Sequence, residues 1–505
     1  VNFPVAAITG FRHSACVSLE KNSWRVADAQ RASLIVDADD YFQAGRLAML
    51  AARRRIMLIG WDFDARIRLG GPSGLEGPDK LGDLVPWLVK RRPELEVYLL
   101  RWDIGAIRTL FRGTTIFTLM RWMWHERIHT RLDAAHPVGA SHHQKIVVID
   151  DCFAFCGAID MTSNRWDTSD HRDREPRRRS PGGKPYAPWH DTTTALQGPV
   201  AAVLGELARQ RWSAAGGKRL EPVSAASECW PANLTPDFDN VRVAISRSMP
   251  AWRDSRPVLE IERIYLELIG RARRFVYAES QYFSSRRIAE AIAGRLEEAD
   301  GPEFVMVNPV SSHGWLEPIA MDTARARLFE ALRRLDRQGR LRLYHPVTAS
   351  GQPIYVHAKL MVVDDEVLHV GSSNMNNRSM RLDTECDVTI DAGLEGNAQA
   401  TAGIARIRTG LLAEHLDVSA DRIDDVFART GSLIQTIETL RSSGRSLVPY
   451  QVPHLHDVEK WLADNEVLDP DGPSEMLENL TQGKLLRGLR QRLARLRSGG
   501  VKKPG

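Results

Sequence analysis

At 505 residues, with 43% hydrophobic and 26% charged residues, the chain has a globular composition and exceeds what one hydrophobic core usually serves, so two domains or two fused halves are expected. No run approaches the roughly 18–20 consecutive apolar residues that a membrane span needs, which speaks against an integral membrane protein. A formal net charge of +4 is too small for this length to imply a nucleic-acid partner.

The chain opens on Val1-Asn2-Phe3-Pro4, without a basic segment and apolar run of secretory type. The expectation is a soluble protein, cytoplasmic or secreted and peripheral at membranes. Residues 41–54 have a helical pattern, and 55–61 and 95–100 read as strands. The run Ile146-Val147-Val148-Ile149 is apolar at consecutive positions, the pattern of a strand buried on both faces, and Asp150-Asp151 after it supplies a turn. Residues 170–188 carry Arg172, Arg174, Arg177, Arg178 and Arg179 without periodicity and read as a long solvated loop. Proline- and serine-rich residues 222–250 are expected to link two halves. Helix-like stretches at 261–273, 288–299 and 323–338 then alternate with strands at 275–279 and 341–344. Leu360-Met361-Val362-Val363 repeats the buried-strand pattern before Asp364-Asp365. A mainly helical tail follows. Its last segment spaces Leu485, Leu486, Leu489, Leu493 and Leu496 on one helical face, opposite Lys484, Arg487, Arg490, Arg492 and Arg495.

This alternation predicts an α/β protein of two similar halves, each a mixed sheet flanked by helices. The boundaries read as 1–225, 226–418 and a helical extension over 419–505. The five cysteines (Cys16, Cys152, Cys156, Cys229, Cys386) form no CxxC pair and are read as mostly buried thiols.

The repeat is the chemical signal. In both copies a histidine is followed two positions later by a lysine, so His143 and Lys145, and His357 and Lys359, can address one ligand from an extended backbone. A neutral imidazole is a nucleophile and proton acceptor near neutral pH, while an ammonium is a fixed cation with three donors. Two such pairs facing one pocket suit a phosphodiester. One histidine attacks phosphorus, the other protonates the leaving oxygen, and the lysines hold the non-bridging oxygens. Since the lysines supply the positive charge, no metal and no other cofactor is expected, and no HExxH, EF-hand or Walker segment is present. Adjacent His142 faces the opposite way and is read as structural.

His143-x-Lys145-x4-Asp150-x6-Gly157 and His357-x-Lys359-x4-Asp364-x6-Gly371-Ser372-x-Asn374 resemble the duplicated signature of the phospholipase D superfamily. Also similar to that superfamily are Asn164-Arg165-Trp166-Asp167 through His171-Arg172, Trp189-His190-Asp191, Glu279-Ser280-Gln281-Tyr282-Phe283 and Asp383-Thr384-Glu385, together spanning most of residues 40–420.

The resemblance implies a phospholipase D-like sandwich in which His143 becomes a covalent phosphohistidine and His357 is general acid and then base. The near-symmetry of the motifs leaves the reverse assignment open. It also implies that Glu385 orients His143 and Asp191 orients His357, each across the halves, and that Lys145, Lys359 and Asn374 hold the phosphate. Asp150, Asp364 and Ser372 are motif residues of structural role. The first motif departs from the pattern by carrying Asp160 where an amide is common; Asp160 is expected to pair with a lysine or bridge the halves. The implied reaction is hydrolysis of a glycerophospholipid, such as phosphatidylcholine or phosphatidylethanolamine, at a membrane or micelle surface, with transphosphatidylation to alcohols. A cardiolipin synthase-like phosphatidyltransferase and, more remotely, a nuclease are the alternatives. With both motifs in one chain, a monomer without a nucleic-acid partner is expected. Trp61, Trp102, Trp166, Trp189, Tyr282 and Trp315 are candidates to line a choline-compatible pocket or to pack the core.

Overall fold

The computed structural model describes residues 19–103, 118, 121, 122, 124–223, 229–312 and 321–452. The first part of the chain contributes β1 (Arg25–Val36), β2 (Arg55–Gly60), β3 (Glu96–Trp102), β4 (Ile128–Asp133), β5 (Ile146–Ile149), β6 (Phe153–Gly157), β7 (Trp189–His190) and β8 (Thr192–Gln197). The second contributes β9 (Phe238–Met249), β10 (Val258–Leu259), β11 (Phe275–Ser280), β12 (Glu303–Val307), β13 (Leu341–Val347), β14 (Tyr355–Val356), β15 (Lys359–Val363), β16 (Val367–Gly371), β17 (Glu385–Asp391) and β18 (Ser446–Pro449).

The strand order shows the duplication. One side runs β1, β8, β6, β5, β2, β3, β4 and the other β9, β17, β16, β15, β11, β12, β13, position for position the same path. Antiparallel pairing of β1 with β9 joins the two into one 16-stranded sheet. In each half three strands, β2–β3–β4 and β11–β12–β13, pair in parallel and the motif strands antiparallel, with β18 adding an antiparallel edge to the second.

The consecutive apolar residues of the motif strands follow from this layering. In β5, Ile146 and Val148 enter a central core shared by both halves, while Val147 and Ile149 enter a core of the first half alone. In β15, Leu360 and Val362 join the central core, while Met361 and Val363 enter the second half's own core. A strand with an apolar layer on each side has no wet face, so the period-two alternation disappears. The helices Ala38–Ala51 and Leu81–Arg91 cover the first outer core, and Glu260–Arg271, Arg286–Glu297 and Thr323–Leu335 cover the second. The helices Pro199–Ala214 and Ala400–Leu416 pack into the central core at equivalent places.

Three sequence expectations need correction. Residues 222–250 are not simply a linker: β9 fills 238–249, with Val241, Val243 and Ile245 buried in the central core, and proline and serine around it hid the alternation. Cys152 and Cys229 are joined in a disulfide across a separation of 77 residues, a distance at which spacing carries no signal. The thiol reading holds for Cys156 and Cys386, which are buried and free. The loop at 170–188 is irregular but not wholly solvated, since Arg178 is buried and paired with Asp167 at 3.1 Å. Beyond residue 419, the helices Ala420–Thr430 and Leu433–Leu440 are followed by β18, which pairs with β13. Cys16, Trp315 and the leucine-rich segment at 484–496 lie outside the described residues. Among the described residues no helix is long and apolar enough to cross a membrane.

Candidate active site

Each motif is a hairpin whose turn is clamped by its first aspartate. Asp150 accepts the backbone N–H groups of Arg53, Arg54 and Arg55 at 2.6, 2.8 and 2.6 Å, and Asp364 those of Arg273, Arg274 and Phe275 at 2.6, 2.8 and 2.8 Å. Both turn residues of both hairpins are left-handed, with φ of 51° and 54° in the first and 57° and 59° in the second, a region that aspartate tolerates better than most residues. The second aspartates anchor the central helices: Asp151 to Arg209 at 2.6 Å and Asp365 to Arg408 at 2.8 Å. At Gly157 and Gly371 a Cβ would collide with Thr193 and Asp387 of the neighbouring strands, which accounts for glycine at both hairpin ends.

The two halves exchange backbone at the pocket. β14, just before His357, runs parallel to β7, just before Asp191, and the His357 N–H donates to the His190 carbonyl at 2.8 Å. By the same symmetry His142 bridges Thr384 in parallel, and the His143 N–H donates to the Thr384 carbonyl at 2.9 Å. Each histidine is thereby set beside an acid of the opposite half. His143 Nδ1 lies 2.9 Å from Glu385 Oε2, and His357 Nδ1 lies 2.7 Å from Asp191 Oδ2. Engaging Nδ1 leaves Nε2 of each ring as the free nitrogen. Ser372 Oγ donates to Glu385 Oε2 at 2.5 Å, which fixes that carboxylate.

The lysines converge on the same place. Lys145 Nζ donates to the His143 carbonyl at 2.9 Å and sits 3.4 Å from Asp160 Oδ2. Lys359 Nζ donates to the His357 carbonyl and to Gln281 Oε1, the latter at 3.3 Å. Asp160 also accepts the Trp61 N–H at 3.0 Å, and so ties a motif lysine to the end of β2. Asn374 is buried, and its Oδ1 makes no hydrogen bond. His142 points away, into a buried cluster with Asp133 and Arg211. Among the aromatic candidates, Trp61 stacks on Trp102 at 5.7 Å and meets His143 edge-on at 6.2 Å, while Trp189 lies 5.3 Å from the His357 ring. Trp166 instead packs under Arg177. Two site residues were not singled out from sequence: Gln281, and Arg165, whose guanidinium lies over the Trp189 ring at 4.3 Å. Both fall within segments carrying the resemblance, so their proximity to the motifs was the available signal.

Burial and positive neighbours set the charge state. His143 is pushed well below the usual histidine range by burial and then by Lys145 and Lys359. His357 is pushed down likewise, by burial, Lys359, Arg165 and Lys145. Each ring thus feels the lysine of the other half, and both are held neutral. Burial pushes Glu385 well above the carboxylate range and raises Asp191. Lys359 is lowered to about 7, chiefly by burial. Two neutral imidazoles beside two lysines make a site that an anionic group would complement.

Fold and site together define a duplicated α/β protein whose two histidine–lysine pairs lie near enough to act on one another. The family model described as "Phospholipase D" matches residues 48–290 and 332–452, well over half of the chain, and the chain belongs to that family. It is 25% identical over 456 residues to phospholipase D alpha 1 of Carica papaya, covering 67% of this chain and 54% of that protein. It is 24% identical over 417 residues to phospholipase D A of Dictyostelium discoideum, covering 69% of this chain and 32% of that one. The chain therefore spans about half or less of the length of these relatives. Among solved structures, the phosphatidylserine synthase of Haemophilus influenzae superposes with a TM-score of 0.52 at 14% identity, over 77% of this chain and 90% of that one; that likeness is one of fold.

Proposed function

We propose that this chain hydrolyses glycerophospholipids such as phosphatidylcholine or phosphatidylethanolamine to phosphatidic acid and the free head-group alcohol, and transfers the phosphatidyl group to other alcohols. The observation that carries the reading is the crossed pairing of His143 with Glu385 and of His357 with Asp191, at 2.9 and 2.7 Å. It gives each imidazole a fixed tautomer and a free Nε2.

Lys145, Lys359 and the Asn374 amide hold the non-bridging oxygens, and the bound anion offsets the positive field that keeps His357 neutral, so that His357 takes up a proton. His143 Nε2 attacks phosphorus. The bond to the head-group oxygen breaks, and that oxygen leaves as the alcohol with the proton from His357. Glu385 stabilises the cationic phosphoimidazole. His357, now neutral, removes a proton from water; the resulting hydroxide displaces His143 from phosphorus and phosphatidic acid departs. An alcohol in place of water gives the transfer product, and a phosphatidyl acceptor gives the phosphatidyltransferase alternative.

Incubating the purified protein with mixed phospholipid vesicles and ethanol, followed by mass spectrometry, tests this. Phosphatidic acid and phosphatidylethanol are expected, and both are expected to vanish in His143→Ala. Accumulation of a diphosphatidyl product alone would replace hydrolysis by phosphatidyl transfer, and no lipid product from any mixture would overturn the substrate class.

A further inference from the structure

Behind the Asp191–His357 pair lies a second cluster of ionisable side chains that the proposed reaction does not use. Asp37 precedes the helix Ala38–Ala51, His171 lies in the irregular segment before β7, His190 ends β7, and Glu414 comes from the helix Ala400–Leu416 of the other half. One ligand-type atom from each lies within 4.8 Å of the other three. We propose that these four side chains form a structural site for one divalent transition-metal ion of zinc type, held by His171 Nε2, His190 Nδ1, Asp37 and Glu414.

The spacing fits. Four ligands at about 2.0–2.1 Å from a tetrahedral ion lie about 3.3 Å from one another. Glu414 Oε1 is 2.8 Å from His190 Nδ1 and 3.1 Å from His171 Nε2. Asp37 Oδ2 is 3.5 Å from His171 Nε2, and Asp37 Oδ1 is 3.4 Å from His190 Nδ1. Two imidazoles and two carboxylates neutralise a divalent ion, and nitrogen donors favour zinc and its first-row neighbours over calcium or magnesium.

The outer contacts fit as well. The other nitrogen of each ring already donates to a carboxylate: His171 Nδ1 to Asp167 at 3.1 Å and His190 Nε2 to Glu279 at 2.7 Å. Tyr277 Oη and His415 Nε2 occupy the remaining oxygen of Glu279, at 2.6 and 3.0 Å. Carboxylates behind both histidines orient the inward nitrogens as metal ligands are oriented.

An independent observation points inward. His190 and Asp37 are almost wholly buried, yet His190 Nδ1 and Asp37 Oδ2 make no hydrogen bond. His171 Nε2 meets Glu414 Oε1 in a hydrogen bond at 3.1 Å, whereas His190 Nδ1, 2.8 Å from the same oxygen, is out of line for one. A lone pair directed at an ion accounts for that geometry. Asp37 also exchanges hydrogen bonds with Asp191, its N–H donating to the Asp191 carbonyl at 2.8 Å and its Oδ1 accepting the Asp191 N–H at 3.1 Å. An ion there braces the residue that holds His357, and it ties the halves together.

The test uses full-length protein, freed of any histidine tag and purified without chelator. Elemental analysis is expected to find about one transition-metal ion per chain. Protein dialysed against chelator is expected to bind added Zn2+ or Co2+ in equal stoichiometry, with the visible absorption of tetrahedral Co2+ and a raised melting temperature. Glu414→Gln and Asp37→Asn, which keep size and a hydrogen-bonding oxygen, are expected to weaken Co2+ binding at least about tenfold, while circular dichroism stays native. Absence of bound metal together with no uptake of Zn2+ or Co2+ would overturn the proposal, as would uptake that both substitutions leave unchanged.

Discussion

Replacing Glu385 with glutamine preserves shape and a hydrogen-bond acceptor but removes the ionisable group 2.9 Å from His143 Nδ1, the one that carries negative charge against the ring once the ring is cationic. Glu385 is fully buried, so no solvent takes over its role. A carboxylate and an imidazolium about 4 Å apart between charge centres attract by about 4 kcal/mol at an effective dielectric of about 20. This attraction is absent while His143 is neutral and, in the proposed reaction, appears as the imidazole becomes phosphorylated, so its loss falls on the transition state and not on substrate binding. At about 1.4 kcal/mol per factor of ten, Glu385→Gln is expected to lower kcat about a thousandfold, with KM changed only a few-fold. Steady-state turnover of a soluble phosphodiester and of phosphatidylcholine vesicles reads both constants, with thermal melts to show that the variant is folded. A folded variant that loses less than about tenfold in kcat, or whose loss is entirely in KM, would refute the reasoning.

His357→Asn removes the proton donor and acceptor while leaving the nucleophile. With a phosphodiester whose leaving group needs no proton, label is expected to accumulate on His143, detected by acid-quenched peptide mapping; label on residue 143 in the wild type but none in this variant would count against the role of His357. Lys359 is lowered to about 7, chiefly by burial, so below that pH it is already charged, and above it the lysine must take up a proton to pair with an anion. Affinity for a short-chain phosphodiester is expected to fall as pH rises from about 7 toward the free-lysine range near 10, with Lys359 taking up a proton on binding in addition to the one that His357 acquires. Calorimetry in buffers of different ionisation enthalpy measures that uptake, and none at about pH 8 would be the contrary result. Asp150→Ala strips a buried carboxylate from three backbone N–H groups and is expected to cost about 2–4 kcal/mol of stability in denaturant melts. The folded fraction should keep its turnover, and unchanged stability with lost activity would move Asp150 from the turn into the chemistry.

How much of this was legible in the sequence depended on whether the signal was local. Ile146 to Ile149 and Leu360 to Val363 read as buried strands because both of their faces meet apolar layers. The motif turns read equally well, since paired aspartates suit left-handed backbone. β1 was illegible: Arg25, Asp28, Gln30 and Arg31 interrupt its apolar residues, and only pairing with β8 and β9 makes it a strand. For the site, composition and spacing supplied the two histidines and two lysines. The acids came from resemblance, because His143 and Glu385 are 242 residues apart and His357 and Asp191 are 166 apart; nothing local to either residue specifies its partner. The inward-facing atoms around Glu414 were invisible for the same reason, as its helix belongs to the half opposite to the other three side chains.

The exchange of backbone between β7 and β14, and between His142 and Thr384, limits how such a molecule can move. A hinge that parted the halves like a clam would break both imidazole–carboxylate contacts in the same stroke, disarming attacking and proton-carrying groups together. In the proposed reaction turnover therefore proceeds with the frame shut, and substrate entry and product exit fall to side chains and rim segments. A severed half-molecule, by the same reasoning, would carry a histidine with nothing to steer it and an acid with nothing to steer.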